Sequence, residues 1–172
     1  IEPCDPMFEA LRSAAENNIP GYCIDLDLDD YPNLFEPFPD PYAIQKIGLK
    51  KYYQIYEGLQ KKDPLLQDAM REEHMAKRLK ELSLRYDSVL FICGMSHVES
   101  IAKLLDQSRF KTYKSVDRNE VHLTTPDEES VGMLLSEWGW ISRHYEEVRD
   151  TKDLNLDRQR LIFKLYRQAA DN

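Results

Sequence analysis

A chain of 172 residues with 42% hydrophobic residues is long enough for one domain with a real core and too apolar for global disorder. Its formal net charge of -8 argues against a nucleic-acid phosphate backbone or an anionic membrane surface as main partner. No apolar run reaches the roughly 20 residues of a membrane span, and the N-terminus is not a signal peptide.

Cys4, Cys23 and Cys93 sit in unrelated contexts. They read as reduced thiols of a cytoplasmic protein, and no CxxC pair suggests a zinc-thiolate site. The chain opens on Ile1 without a methionine, which is consistent with a fragment lacking an upstream N-terminal part.

In chain order, Pro6 to Asn18 predicts a helix, with Phe8, Leu11, Ala14 and Ala15 at helical spacing and Asn17-Asn18 as its stop. "GYCIDLDL" predicts a strand with Tyr22, Ile24, Leu26 and Leu28 on one face and Cys23, Asp25 and Asp27 on the other. "DDYPNLFEPFPDP" holds four prolines and predicts an irregular loop. Its acids mimic a calcium loop, with Asp25, Asp27, Asp29, Tyr31, Asn33 and Glu36 in register. That reading is rejected, because Asp30 replaces the required glycine, Pro32 interrupts the loop and a strand precedes it.

Tyr42 to Lys62 predicts a second helix. A third runs from Pro64 to about Leu84, with Asp63 as its cap. "SVLFIC" is apolar on both faces and predicts an interior strand, Val89 to Cys93, of a parallel sheet. A helix follows from His97 to Asp106, then short strands at "YKSVD" and "EVHLTT". Two helices close the chain, Asp127 to Arg149 and Asn155 to Ala170, the last capped by Asn155 or Asp153. Trp138 and Trp140 are expected to anchor them to the core. The order predicts a single α/β domain, a mostly parallel sheet flanked by helices. Its core spans 1–125 and a helical C-terminal extension spans 126–172.

Two constellations carry chemistry. On the third helix Leu65, Ala69, Ala76 and Leu79 form an apolar stripe, with Met75 and Leu82 on its shoulder. Glu72 falls inside that stripe, Arg71 on its edge, and Glu73 points away. An inward carboxylate needs a partner or a cation, so Glu72 reads either as half of a structural pair with Arg71 or a lysine, or as a ligand or base. His97 follows the Gly94 turn at the end of the predicted buried strand, where open sheets bind ligands. Gly94 would let the backbone turn or approach a ligand, and Ser96 could equally cap the helix. Asp25 lies at the end of the other strand and is expected on the rim of the same cleft. His74 is expected to face solvent, and His122 and His144 to be structural or surface residues. No serine-hydrolase elbow, phosphate loop, HExxH or dinucleotide fingerprint occurs.

"DAMREEHMAKRLKEL", followed by "SVLFICGMSHVESIAKLL", resembles the second half of the TraB/Tiki/ChaN/erythromycin-esterase-like superfamily, and "IPGYCIDLDL" is similar to the strand before it. The resemblance covers roughly residues 19–105. It implies an α/β fold with a site at the sheet edge, and activities ranging from metal-dependent proteolysis and lactone hydrolysis to haem binding. By motif position Gly94 and His97 match the second GxxH, and Arg71 and Glu72 the helix motif. The first GxxH or GExH has no counterpart here. The expectation is therefore a metal-assisted ester or amide hydrolase, incomplete in this chain and acting on a small-molecule or peptide substrate. His97 and Glu72 would hold a divalent metal or its water, and Arg71 would stabilise the developing anion. Asp25, Gly94 and Ser96 would line the ligand. The alternatives are a ligand- or haem-binding module using His97, and a protein-interaction domain.

Overall fold

The computed structural model describes residues 5–29, 38–59, 66–116, 122, 124–128, 130, 138–151 and 156–171. The contacts divide the chain into two compact units, one of residues 1–21 and 120–172 and the other of residues 22–119.

The larger unit is built from α2 (Ile44–Ile47), α3 (Leu49–Leu59), α4 (Leu66–Ser83) and α5 (Val98–Leu104), with 3₁₀ turns at Pro41–Ala43 and Met95–His97. The predicted helix from Tyr42 to Lys62 is split at Gly48, whose φ of 77° lies in the left-handed region that glycine adopts without strain. Asp40 starts the segment by accepting the Tyr42 N–H at 3.1 Å. The predicted cap at Asp63-Pro64 and most of the proline-rich loop, residues 30–37, lie outside the described residues.

α4 is the spine of this unit. Met75, Ala76, Leu79 and Leu82 are buried with Ile24 and Ile101, and Tyr86, Phe91, Leu104 and Phe110 pack on the cluster. Ala69, expected on the same stripe, is exposed, so the buried face begins at Glu72. On α3, Tyr52 and Tyr56 are buried; the Tyr52 hydroxyl donates to the Pro39 carbonyl at 2.8 Å and Phe38 stacks on Tyr56.

The α/β reading is overturned. Among the described residues there is no strand, and the elements are helices joined by segments without regular secondary structure. "SVLFIC" has no regular secondary structure and is not an interior strand: Leu90 is 86% exposed, Val89 and Ile92 are exposed, and only Phe91 packs on the core cluster. An interior parallel strand needs neighbours on both edges and cover on both faces, and here one face meets water. At "GYCIDLDL" the two-residue alternation survives without a ladder, with Ile24 and Leu26 buried and Cys23 and Asp25 exposed. The Val116 N–H donates to the Asp27 carbonyl at 3.1 Å, yet no strand forms over the described part of "YKSVD"; half of "EVHLTT" lies outside the described residues.

The smaller unit joins α1 (Pro6–Glu16) to α6 (Gly139–Val148) and α7 (Arg158–Ala170). α1 stops at the expected asparagine pair, and its N-cap is Asp5. Asp5 accepts the Phe8 N–H at 2.8 Å, Pro6 opens the helix, and Asn18 ends it at a φ of 55°. Ions hold α1 to the end of α6. Arg12 forks onto Glu146 at 2.9 and 3.0 Å, and Arg149 reaches Glu9 at 3.0 Å and Glu16 at 2.9 Å. α7 is capped by Asp157, which accepts the Arg160 N–H at 3.0 Å; the expected caps, Asp153 and Asn155, lie outside the described residues. Trp140 ties α6 to α7 through its indole N–H, 3.0 Å from the Leu161 carbonyl, whereas Trp138 is largely exposed and does not serve as a core anchor. Among the described residues no helix is long and apolar enough to cross a membrane.

Candidate functional site

Glu72 turns inward on α4 and is 7% exposed, directly beside the apolar ring of Met75, Ala76 and Leu79. Its partner is His97, whose Nδ1 lies 3.0 Å from Glu72 Oε1. Toward an ionised carboxylate, which only accepts, Nδ1 is the donor of this pair and Nε2 is left for other contacts. His97 is the residue from which α5 springs, and its N–H donates to the Gly94 carbonyl at 3.1 Å. Its side chain makes no cap hydrogen bond; the imidazole is directed to α4 instead. The contact joins residues 25 apart in the chain.

Arg71, one position earlier on α4, is held by a second set of carboxylates. Its Nε donates to Asp25 Oδ1 at 3.1 Å and its Nη2 to Asp25 Oδ2 at 2.6 Å, a bidentate fork. Its Nη1 donates to Asp68 at 3.0 Å. Asp25 Oδ1 also accepts the Leu26 N–H at 2.8 Å, which fixes the carboxylate against the extended segment. The structure thus makes two neighbouring pairs, Glu72 with His97 and Arg71 with Asp25. The Arg71–Glu72 or Glu72–lysine pairing considered from sequence does not form among the described contacts.

Two other candidates take different roles from those expected. Gly94 has φ -58° and ψ 144°, open to any residue, and a Cβ there would meet only the His97 ring at 3.6 Å and the Ser96 hydroxyl at 3.8 Å. Its backbone therefore does not require glycine. Ser96 is exposed and caps nothing. The expected cleft at the carboxyl edge of a sheet has no sheet among the described residues to form it.

Several contacts were invisible from sequence. Glu73, expected to point away, accepts the Lys111 N–H at 2.7 Å and the Tyr113 hydroxyl. These hydrogen bonds, the Lys111 amide first, hold the Glu73 carboxyl below its ordinary range. The Tyr113 phenol is pushed up to about 12, first by its bond to Glu73 and then by burial. His74 is half-buried, not solvent-facing, and burial followed by the nearby Arg78 and Lys77 charges lowers its pKa. Burial pushes the Cys93 thiol up, which disfavours the thiolate a nucleophile needs. His144 bonds its own helix at the Trp140 carbonyl, 2.9 Å away, and is structural. His122 is exposed.

His97 and Glu72 are bonded to each other, and among the described residues no three His, Cys, Asp or Glu side chains converge as ligands. Comparisons with protein-family models, with curated proteins and with solved structures find no match.

Proposed function

We propose that this chain is a hydrolytic module for an ester or amide, with the His97 imidazole as its working group and Glu72 as the carboxylate that orients it. The observation that supports the reading is the 3.0 Å hydrogen bond between His97 Nδ1 and Glu72 Oε1. A carboxylate on one ring nitrogen fixes the tautomer and orients the other, the arrangement by which a histidine takes a proton from an attacking water. Arg71 is the cation nearest in sequence. It would meet a developing oxyanion by exchanging part of its bidentate contact with Asp25. Free thiols at Cys23 and Cys93 support a reducing, cytoplasmic setting for this activity.

The test is turnover of activated esters, lactones and anilides by the full chain. His97→Ala is expected to lower the rate about 10²-fold or more, the scale of a lost general base. Glu72→Gln is expected to retain the fold, shift the ring-nitrogen resonances of His97 and lower the rate roughly tenfold. Wild-type turnover no faster than buffer, or a His97→Ala protein as fast as wild type, overturns the reading. Haem ligation would use the same Nε2. A Soret band that appears on haem titration and disappears in His97→Ala, without ester turnover, would move the assignment to a binding module.

A further inference from the structure

Although the chain carries a net charge of -8, α7 contains four Lys and Arg residues and no Asp or Glu between Arg158 and Ala170. The charges are not spread around it. Arg160, Lys164 and Arg167 stand at i, i+4 and i+7, so they share one face, and all three are exposed. Phe163 borders that face and is 71% exposed, and Tyr166, 62% exposed, lies beyond it on the same side. The opposite face, Leu161, Ile162 and Leu165, is half-buried, and Trp140 holds it through the Leu161 carbonyl. Among the described residues Arg160, Lys164 and Arg167 take part in no ion pair, although Lys164 lies over the Trp140 ring with its Nζ 5.8 Å from the centroid. The helix is docked by its aliphatic side and shows water a strip of cations edged with aromatic rings.

We infer that this strip binds an acidic segment of a partner protein, one that interleaves carboxylates with apolar side chains. Charge complementarity selects the carboxylates, and two large aromatic rings left in water select the apolar side chains between them. A membrane surface would be gripped by the aliphatic face, which is already occupied. An extended polyanion, lipid or nucleic acid, would also be repelled by the rest of this acidic chain at distances a short peptide does not reach.

The experiment is fluorescence anisotropy of the full chain with a labelled peptide of about a dozen residues that alternates Glu with Leu and Phe, a length matched to one face of a helix of this size. Binding is expected to weaken about tenfold or more in Arg160→Gln/Lys164→Gln/Arg167→Gln, and clearly in Phe163→Ser/Tyr166→Ser, with circular dichroism unchanged. It is also expected to weaken as salt rises from about 50 mM to about 300 mM. Equal binding by the triple variant overturns the proposal. So does binding to phosphatidylserine vesicles or to an RNA oligonucleotide in the absence of peptide binding.

Discussion

If the Glu72–His97 contact is a true buried hydrogen bond, cutting it from either side should cost nearly the same and cutting both should cost little more. Both side chains are about a tenth exposed, so solvent screening discounts the pair only slightly. A hydrogen bond to a charged acceptor contributes about 1.5–3 kcal/mol, and a buried partner left unmatched costs about 1–3 kcal/mol. Glu72→Ala and His97→Ala are therefore each expected to lose about 2–3 kcal/mol. In a double-mutant cycle the pair should show a coupling of about 1.5 kcal/mol or more, where an exposed ion pair gives about 0.2–1 kcal/mol. The assay is urea unfolding followed by far-ultraviolet circular dichroism, with m-values compared across the four proteins. Tryptophan fluorescence is the wrong probe, because Trp138 and Trp140 both belong to the smaller unit. Losses that add to within about 0.5 kcal/mol would mean that the two groups do not interact, and the site would lose its foundation.

Leu82→Ala should cost about 2–4 kcal/mol, the cost of a cavity in the buried cluster, while Leu90→Asp should change stability by less than about 0.5 kcal/mol. A Leu90→Asp protein that unfolds would restore the interior strand. Gly94→Ala should be neutral or stabilise by up to about 1 kcal/mol, since its φ is ordinary and the new methyl meets only van der Waals contacts; a large loss in thermal melting would show a hidden constraint. Acid should weaken the smaller unit. Burial raises the Glu9 carboxyl, but the hydrogen bonds from Arg149 and Arg12 outweigh it, and Glu16 is lowered first by its bond to Arg149. Both folded values lie below the ordinary 4.5, so their contribution is full above that pH and is lost as pH falls through the lowered values. In Arg149→Gln, tryptophan fluorescence should show a flatter pH dependence below 4.5, and an unchanged acid limb would refute the ionic clasp. Glu73→Gln should return the Tyr113 phenol from about 12 toward 10, read as phenolate absorbance in an alkaline titration; an unshifted phenol would rule out the Glu73 contact.

What was legible in the sequence is local, and the reason is physical. The phase of α4 follows from Met75, Ala76, Leu79 and Leu82, and that phase alone turns Glu72 inward. The ends of α1 follow from Pro6 and the asparagine pair, because a helix end is settled within one turn. The sheet is the opposite case. "SVLFIC" has the composition of an interior strand, but an interior strand is defined by partners elsewhere in the chain, and a run of apolar residues contains no statement about them. With no ladder formed among the described residues, half of the segment faces water. The same limit applies to the pairs. Arg71 and Asp25 are 46 residues apart and Arg149 and Glu9 are 140 apart, so their charges look like ordinary solvated residues until the fold brings them together. His97 lies between these cases. Its place at the start of a short helix was readable from the Gly94 turn, but its carboxylate was readable only from α4. An inward acid on one element and a histidine freed from capping on another are each weak signals, and they gain meaning only when both point to the same hydrogen bond.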